Sequence, residues 1–99
     1  MAKVIFRRKA IDDLNNIWDY TFEKWSAKQA DKYYATIKLA CSGIGQDPDV
    51  GNEYDGINKN LLGLKSGKHI IFYQSLSEDK IEVIRILHEQ MDLKKRITE

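Results

Sequence analysis

The chain has 99 residues, of which 42% are hydrophobic and 31% charged, a composition that fits one small globular domain and is too apolar for a disordered chain. The formal net charge is only +1, so no overall positive field draws the protein to nucleic acid, and direct nucleic-acid binding is at most secondary. No apolar run approaches the roughly 18 residues of a membrane span, and the basic N-terminus has no secretory signal pattern. The single cysteine cannot form an internal disulfide. These features together predict a cytoplasmic protein without membrane contact.

The N-terminal part of the sequence predicts a strand and then an amphipathic helix. The apolar run at positions 4–6 is typical of a short strand. From about Lys9, apolar residues recur at three- and four-residue spacing, as expected for one face of a helix: Ala10, Ile11, Leu14, Ile17, Trp18, Phe22 and Trp25. Asp12 and Asp13 are expected in the first turn, where the helix dipole favours acidic side chains.

A second helix is predicted immediately after the first. Ser26 followed by Gln29 is a capping-box pattern, and an apolar stripe then runs from Ala30 to Ile44. Pro48 prevents the helix from continuing. Because almost no loop separates the two helices, they are predicted to form an antiparallel hairpin.

The C-terminal half predicts three strands. Turn-forming residues dominate positions 46–60, which therefore indicate a loop. Strands are predicted at 61–64, 68–76 and 80–88, and the last is apolar on both faces, as is typical of a strand inside a sheet. The residues from Glu89 on are too polar for a core and are expected to form a short helix or a tail. The order β-α-α-β-β-β predicts one α+β domain over residues 1–99, with the helical hairpin on one face of a mostly antiparallel four-stranded sheet.

Few side chains suggest catalysis or metal binding. The two histidines, His69 and His88, lie on different predicted strands. His88 and Asp92 could lie on one helical face as metal ligands, but no third ligand is evident nearby, so we expect no metal and no cofactor. Cys41 lies on an apolar stripe and is interpreted as a buried hydrophobic residue. No nucleophile motif and no glycine-rich phosphate loop is present.

Arg85 interrupts an otherwise apolar strand, and a charge in such a place must be paired or must face a solvated groove. By strict alternation it shares a face with Ile81, Val83 and Leu87. A salt bridge to a carboxylate from the helices or the loop and a contact with a partner protein are equally compatible with the sequence. The tyrosines and tryptophans are expected mainly in the core, with Trp25 and Tyr54 as candidates for exposed anchors.

Four segments together resemble the ParE branch of the RelE/ParE superfamily of bacterial toxins. The strongest is the run Ile84-Arg85-Ile86-Leu87-His88 followed by Met91-Asp92. The run His69-Ile70-Ile71-Phe72-Tyr73 is similar to the third strand of the family. The loop contributes Pro48, Gly51 and Ile57, and the first helix contributes Ala10, Asp13, Leu14 and Ile17. The resemblance covers nearly the whole chain and implies the toxin component of a type II toxin–antitoxin system.

The resemblance also distinguishes the two activities of this superfamily. RelE-type members cut messenger RNA on the ribosome with cationic groups that stabilise the scissile phosphate, whereas ParE-type members poison DNA gyrase by binding it. Where the nucleases carry paired lysines on the second strand, this chain has Leu61 and Gly63. Where they carry an arginine on the third strand and another that ends the fourth strand, it has Ile70 and Glu89. The nucleases also have an aromatic residue near the C-terminus, whereas none follows Tyr73 here. The resemblance therefore implies a non-catalytic gyrase poison, which a ParD-like antitoxin neutralises by laying a segment across the hairpin and the sheet.

The partner-binding positions expected to contact gyrase lie at the end of the chain: Arg85, His88, Met91, Asp92, Lys94, Lys95 and Arg96. Two alternatives remain. The chain could be a RelE-like ribosome-dependent endonuclease that uses His69 or His88 as the base. It could also be a non-toxic family member that only binds an antitoxin.

Overall fold

The computed structural model describes residues 2–98 and consists of one mixed sheet with helices on both faces. The elements in chain order are β1 (Lys3–Phe6), α1 (Arg8–Lys24), α2 (Ala27–Gln46), β2 (Asn52–Glu53), β3 (Leu62–Ser66), β4 (His69–Ser77), β5 (Lys80–His88) and α3 (Leu93–Ile97). The strand order is β1-β5-β4-β3-β2. β1 runs parallel to β5 and the other neighbouring pairs are antiparallel. None of the helices in this part of the chain is long and apolar enough to cross a membrane.

The α+β class and the helical hairpin are confirmed, but the sheet that residues 2–98 form has five strands instead of the predicted four. The additional strand, β2, has only two residues, Asn52 and Glu53, inside the predicted loop. Both side chains are exposed, so no apolar alternation marked this segment as a strand. β2 pairs with the first residues of β3 and covers part of an otherwise open sheet edge.

The two helices form where their local signals placed them. The Ser26 side chain accepts a hydrogen bond from the Gln29 backbone N–H at 3.1 Å, which confirms the predicted cap of α2. α1 begins at Arg8, so Asp12 and Asp13 lie beyond its first turn, and the expectation that they complement the helix dipole there is wrong. At the other end of the hairpin, a Cβ added to Gly45 would lie 2.9 Å from the Ala2 carbonyl oxygen, and this glycine therefore lets α2 approach the start of β1.

The sheet buries apolar side chains on both faces. The hairpin-side core lies between the sheet and the two helices and includes Ala10, Leu14, Ile17, Ile37, Cys41, Ile44, Ile71, Tyr73, Ile81, Val83 and Ile86. The opposite core consists of Leu61, Ile70, Phe72, Ile84 and Leu87, with Tyr54, Ile57, Leu93 and Ile97 packed over it. β5 lies between β1 and β4, and because both faces of the sheet are buried, it carries apolar side chains on both faces, as predicted for an interior strand.

The expectation that the residues after Glu89 are too polar for a core is wrong for two of them. Leu93 and Ile97 lie four apart on α3, so they project from the same side of this short helix and pack against the opposite core. The remaining α3 residues, Lys94, Lys95 and Arg96, are exposed. The C-terminal segment is therefore an amphipathic cover for the sheet that presents its cations outward.

Candidate functional site

A pocket of about 360 Å³ opens between α1, the end of β5, Met91 and the last turn of α3. Four of the predicted partner-binding residues line it: Arg85, His88, Met91 and Arg96. The other three are not in its lining. Asp92 is the N-cap of α3, and its side chain accepts a hydrogen bond from the Lys95 N–H at 3.2 Å. Lys94 and Lys95 project from the exposed side of the same helix.

The pocket exists because β1 is shorter than β5. β1 pairs with β5 only as far as Phe6 and Val83, after which the chain leaves the sheet and enters α1. The end of β5, from Arg85 to His88, therefore runs beside α1 without a strand on that side, as far as the described residues show. The space between the helix and this strand edge is the pocket.

A bulge in β5 determines which side chains face each core. Phe72 pairs with Arg85 while the next residue of β4 pairs with Val83, so Ile84 is an extra residue in the ladder. Val83 consequently belongs to the hairpin-side core and Leu87 to the opposite core. The prediction that Arg85 shares one face with Ile81, Val83 and Leu87 is wrong, because strict alternation does not hold across a bulge.

Arg85 is held by a carboxylate from α1. Its Nε and Nη2 donate to the Asp13 carboxylate at 2.8 and 3.0 Å, and its Nη1 donates to the Arg96 carbonyl oxygen at 2.8 Å. Asp13 also accepts the Ile86 backbone N–H at 3.0 Å, which occupies a donor of the exposed β5 edge. Both paired side chains are only 11% exposed. Of the two interpretations of Arg85, the intramolecular salt bridge is the one observed, and it ties α1, β5 and α3 together.

The two histidines meet at the edge of the pocket. His69 and His88 are paired across β4 and β5, and their ring centroids lie 5.3 Å apart with an edge-to-face orientation. The Tyr33 hydroxyl lies 2.7 Å from His69 Nδ1, and His88 Nδ1 accepts the Gln90 backbone N–H at 3.1 Å. Burial and the neighbouring His88 lower the pKa of His69 from 6.5 to about 4, so this ring is neutral at pH 7.

The sequence analysis did not predict that these histidines are neighbours, although the position of the turn between the two strands indicates their pairing. Ser77 pairs with Lys80 across the turn, and His69 and His88 lie equally far from this pair, because the extra residue Leu76 in β4 compensates for the extra residue Ile84 in β5. Because antiparallel partners lie symmetrically about a tight turn, the pairing could have been predicted from the turn position.

The arrangement does not provide a metal site. His88 ends β5 whereas Asp92 caps α3, so the two do not lie on one helical face. Within residues 2–98, no three His, Cys, Asp or Glu side chains are arranged to hold a metal ion. Cys41 is buried, and burial raises the pKa of its thiol to about 11, which agrees with its interpretation as a small core residue.

On the other side of the sheet, the positions where the resemblance places nuclease cations are buried or paired. Leu61 and Ile70 belong to the opposite core. A Cβ at Gly63 would lie 2.5 Å from Tyr54 Cε1, so the Tyr54 ring occupies the space that a longer side chain would need. Glu89 forms a salt bridge with Lys65 at 2.8 Å, and its pKa is lowered mainly by the hydrogen bond from that lysine.

One side of α1 and its C-cap carries apolar side chains, here called the aromatic strip, of which Trp18 is partly buried and the others are exposed: Ile11, Trp18, Phe22 and Trp25. Trp18 and Phe22 stack with ring centroids 5.3 Å apart and an interplanar angle of 10°. Trp25 is 76% exposed, as expected for a candidate anchor, whereas Tyr54 is partly buried against Phe72. Phe22 lies on the predicted apolar stripe but is half exposed, because the face of α1 that packs on the sheet is narrower than this stripe.

Comparisons with known proteins agree on one family. Residues 4–93 match the model of the family described as "ParE toxin of type II toxin-antitoxin system, parDE". The chain is 32% identical over 84 residues to "Toxin ParE1" of Mycobacterium tuberculosis, which covers 85% of this chain and 86% of the relative. It is 29% identical over 85 residues to "Toxin ParE1" of Caulobacter vibrioides, covering 86% of each. "Toxin ParE" of Escherichia coli is 25% identical over 99 residues, which is 100% of this chain and 96% of the relative.

A solved structure supports the fold. The structure described as "Chromosomal ParDE TA system from P. aeruginosa" superimposes with a TM-score of 0.77 at 19% sequence identity, covering 89% of this chain and 96% of that chain.

Proposed function

The chain belongs to the ParE toxin family of type II toxin–antitoxin systems, and we propose that it poisons DNA gyrase by binding, without chemistry of its own, and that a ParD-like antitoxin neutralises it in the cytoplasm. The proposal that the protein is not catalytic is supported by the composition of the opposite core. Cleavage of a phosphodiester needs cations that stabilise the developing charge at an accessible site. Here Leu61 and Ile70 are buried on that face of the sheet, and the Tyr54 ring occupies the space beside Gly63. Ile57 from the loop and Leu93 and Ile97 from α3 pack over this core.

The surface proposed to contact gyrase is the pocket rim and the exposed side of α3. Met91, Lys94 and Lys95 are accessible there, and His88 lies at the pocket edge. Arg85 contributes indirectly, because its bond to the Arg96 carbonyl oxygen fixes α3 against the body of the protein. Exposed cations at the rim of an interface act mainly on the rate of association and on partner choice.

A supercoiling assay tests this proposal. Purified protein is added to gyrase with relaxed plasmid, and inhibited supercoiling with accumulated linear plasmid is the expected result. The variant Lys94→Ala/Lys95→Ala should need a several-fold higher concentration for the same effect, because it removes two exposed charges while alanine maintains the helix. Lys59→Ala/Lys80→Ala removes the same charge elsewhere and should behave as the wild-type protein. Equal potency of the two double variants would refute the assignment of this surface.

The antitoxin is proposed to dock on the aromatic strip. Exposed, closely spaced aromatic side chains on one helix suit a partner segment that buries them in a groove. Replacement of Phe22 or Trp25 by alanine should weaken binding of the ParD-like protein by about 30-fold or more, the range of interface hot spots. Leu76→Ala, at an exposed apolar residue on β4, serves as the control. Unchanged affinity in both strip variants would place the antitoxin elsewhere.

One observation supports ribosome-dependent RNA cleavage as the second candidate function. His69 and His88 meet at the pocket with ring centroids 5.3 Å apart, and a histidine pair can serve as general base and acid. A translation assay with a mapped messenger distinguishes this candidate, since cuts at ribosome-defined codon positions would favour it over gyrase poisoning. Loss of those cuts in His88→Gln would be required as well. Inactivity in both assays with retained antitoxin binding would identify a non-toxic, antitoxin-binding family member.

A further inference from the structure

The pocket between α1, β5 and α3 adjoins a basic helix, and we propose that it receives an unstacked base of single-stranded DNA while α3 contacts the flanking phosphates. The proposal deepens the function proposed above, because a gyrase poison acts on an enzyme that holds cleaved DNA. It assigns the pocket a ligand of its own, which can be tested without gyrase.

The size and floor of the pocket suit one planar ring. Its volume of about 360 Å³ lies near the lower end of small-molecule sites, which span roughly 300–1,000 Å³. The buried side chains of Ile17, Ile86 and Leu87 form part of the lining. A pocket of this kind is too small for a helix and apolar enough to favour the face of a base.

An added peptide strand fits the site poorly, although β5 has an open edge here. The Ile86 N–H is already bound by the Asp13 carboxylate at 3.0 Å. The His88 carbonyl oxygen accepts the Met91 N–H at 3.0 Å. Since strand addition depends on a row of free backbone groups, the capped edge favours an occupant that inserts a ring.

The rim provides groups that bases use for stacking and hydrogen bonding. Tyr20 lines the pocket and is 63% exposed, and Lys24 Nζ lies 6.0 Å from its ring centroid. Met91, also half exposed, lies at the same rim. Because His88 Nδ1 accepts the Gln90 N–H, Nε2 is the ring nitrogen left to donate to a base. Exposed aromatic rings beside cations are the usual platform for single-stranded nucleic acid.

The charge near the pocket differs from that of the whole chain. Lys94, Lys95 and Arg96 are consecutive on α3, and Arg96 also lines the pocket. Among the lining residues that the structure describes, Asp13 is the one carboxylate, and it is paired with Arg85. A net charge of +1 therefore coexists with a local positive surface, which is where a short stretch of backbone phosphates would bind. An acidic protein segment shares that charge but lacks the ring that the aromatic rim accommodates.

Fluorescence anisotropy at low salt tests the proposal with two probes. One is a fluorescein-labelled oligothymidylate of about eight nucleotides, within the usual site sizes. The other is the same backbone with abasic residues. We expect the oligothymidylate to bind about tenfold more tightly than the abasic strand, the range of base–aromatic stacking. Tyr20→Ala should abolish this difference, whereas Tyr20→Phe should retain it, and Leu76→Ala should not alter it.

The phosphate contacts have a separate signature. Lys94→Ala/Lys95→Ala should weaken both probes equally and reduce the salt slope of the binding constant by about 1.4, from roughly 0.7 per contact on single strands. Equal affinity of the wild-type protein for the two probes, or no binding of either, would overturn the proposal. Tyr20-dependent binding of a poly-glutamate peptide without binding of the oligothymidylate would assign the pocket to an acidic protein segment and overturn it too. Since gyrase is absent from this assay, its outcome is independent of the supercoiling result.

Discussion

Removal of the Asp13 carboxylate should be among the most damaging single changes to the stability of this protein. In Asp13→Ala, the Arg85 guanidinium loses the two hydrogen bonds that it donates to the carboxylate, at 2.8 and 3.0 Å, and the Ile86 N–H loses its acceptor. Breaking a buried ion pair by truncating one partner costs about 3–5 kcal/mol, because a charge is left uncompensated. Since each side chain retains 11% exposure, water can partly compensate, and we expect a loss of about 3–4 kcal/mol.

That loss is large for a domain of this size, whose free energy of unfolding is expected to be about 5–15 kcal/mol. Urea denaturation followed by circular dichroism measures this loss of free energy directly. In thermal unfolding, the same loss should lower the Tm by about 15 °C. Asp12→Ala is the matched control. Asp12 is the preceding residue on α1 and forms an exposed pair with Arg8 at 3.3 Å, so its removal should cost under about 0.5 kcal/mol.

A double-mutant cycle separates the pair from other effects of the substitution. Arg85→Met alone leaves the Asp13 charge buried, whereas Asp13→Ala/Arg85→Met leaves no charge behind. The double variant should therefore be more stable than the sum of the single losses predicts, by about 2 kcal/mol. The reasoning is refuted if Asp13→Ala and Asp12→Ala lose similar amounts, or if the two losses at Asp13 and Arg85 simply add.

Three further outcomes follow from single residues. The pKa of His69 is about 4 in the folded protein and 6.5 in the unfolded chain, so the unfolded chain binds more protons between these pH values. The free energy of unfolding should therefore fall as the pH drops from 6.5 to 4, by about 1–2 kcal/mol because the ring is partly exposed. Urea titrations of His69→Gln should show a flatter dependence of this free energy on pH. Gly63→Ala should cost about 1–3 kcal/mol by forcing a Cβ against Tyr54, whereas Gly56→Ala, which meets nothing within 4 Å, should leave the urea midpoint nearly unchanged. The buried thiol of Cys41, with its pKa raised to about 11, should not react with a disulfide reagent at pH 8 until urea unfolds the chain, and rapid labelling of the native protein would contradict this.

The elements that the sequence predicted correctly depend on local patterns. The helical hairpin follows from apolar spacing and from the Ser26 cap, both of which lie within a few residues of the structure they determine. The predicted and observed bounds of β5 are the same, because turn residues and apolar residues delimit this strand on both sides. β2 was missed because its pairing with β3 depends on how the loop folds back, and its own residues are polar.

The candidate site was predicted less completely, because long-range contacts define it. The composition of β5 indicated that Arg85 must be paired or solvated, but only the fold identifies Asp13, 72 residues earlier in the chain, as its partner. Arg85, His88, Met91 and Arg96 do line one pocket. The sequence did not predict that Tyr20 and Asn16 line this pocket, because their position facing β5 depends on where β1 ends and α1 begins.

The arrangement around Arg85 also bears on how any loss of toxicity should be interpreted. Its guanidinium is bound on one side to Asp13 and on the other to the Arg96 carbonyl oxygen, so the pair determines where α3 lies. A substitution of Arg85 that abolishes toxicity would therefore also displace Lys94 and Lys95. The two causes are separable, because removal of the lysines should leave the free energy of unfolding nearly unchanged, whereas loss of Arg85 should lower it. A direct role of Arg85 in partner contact requires a variant that retains full stability and loses binding.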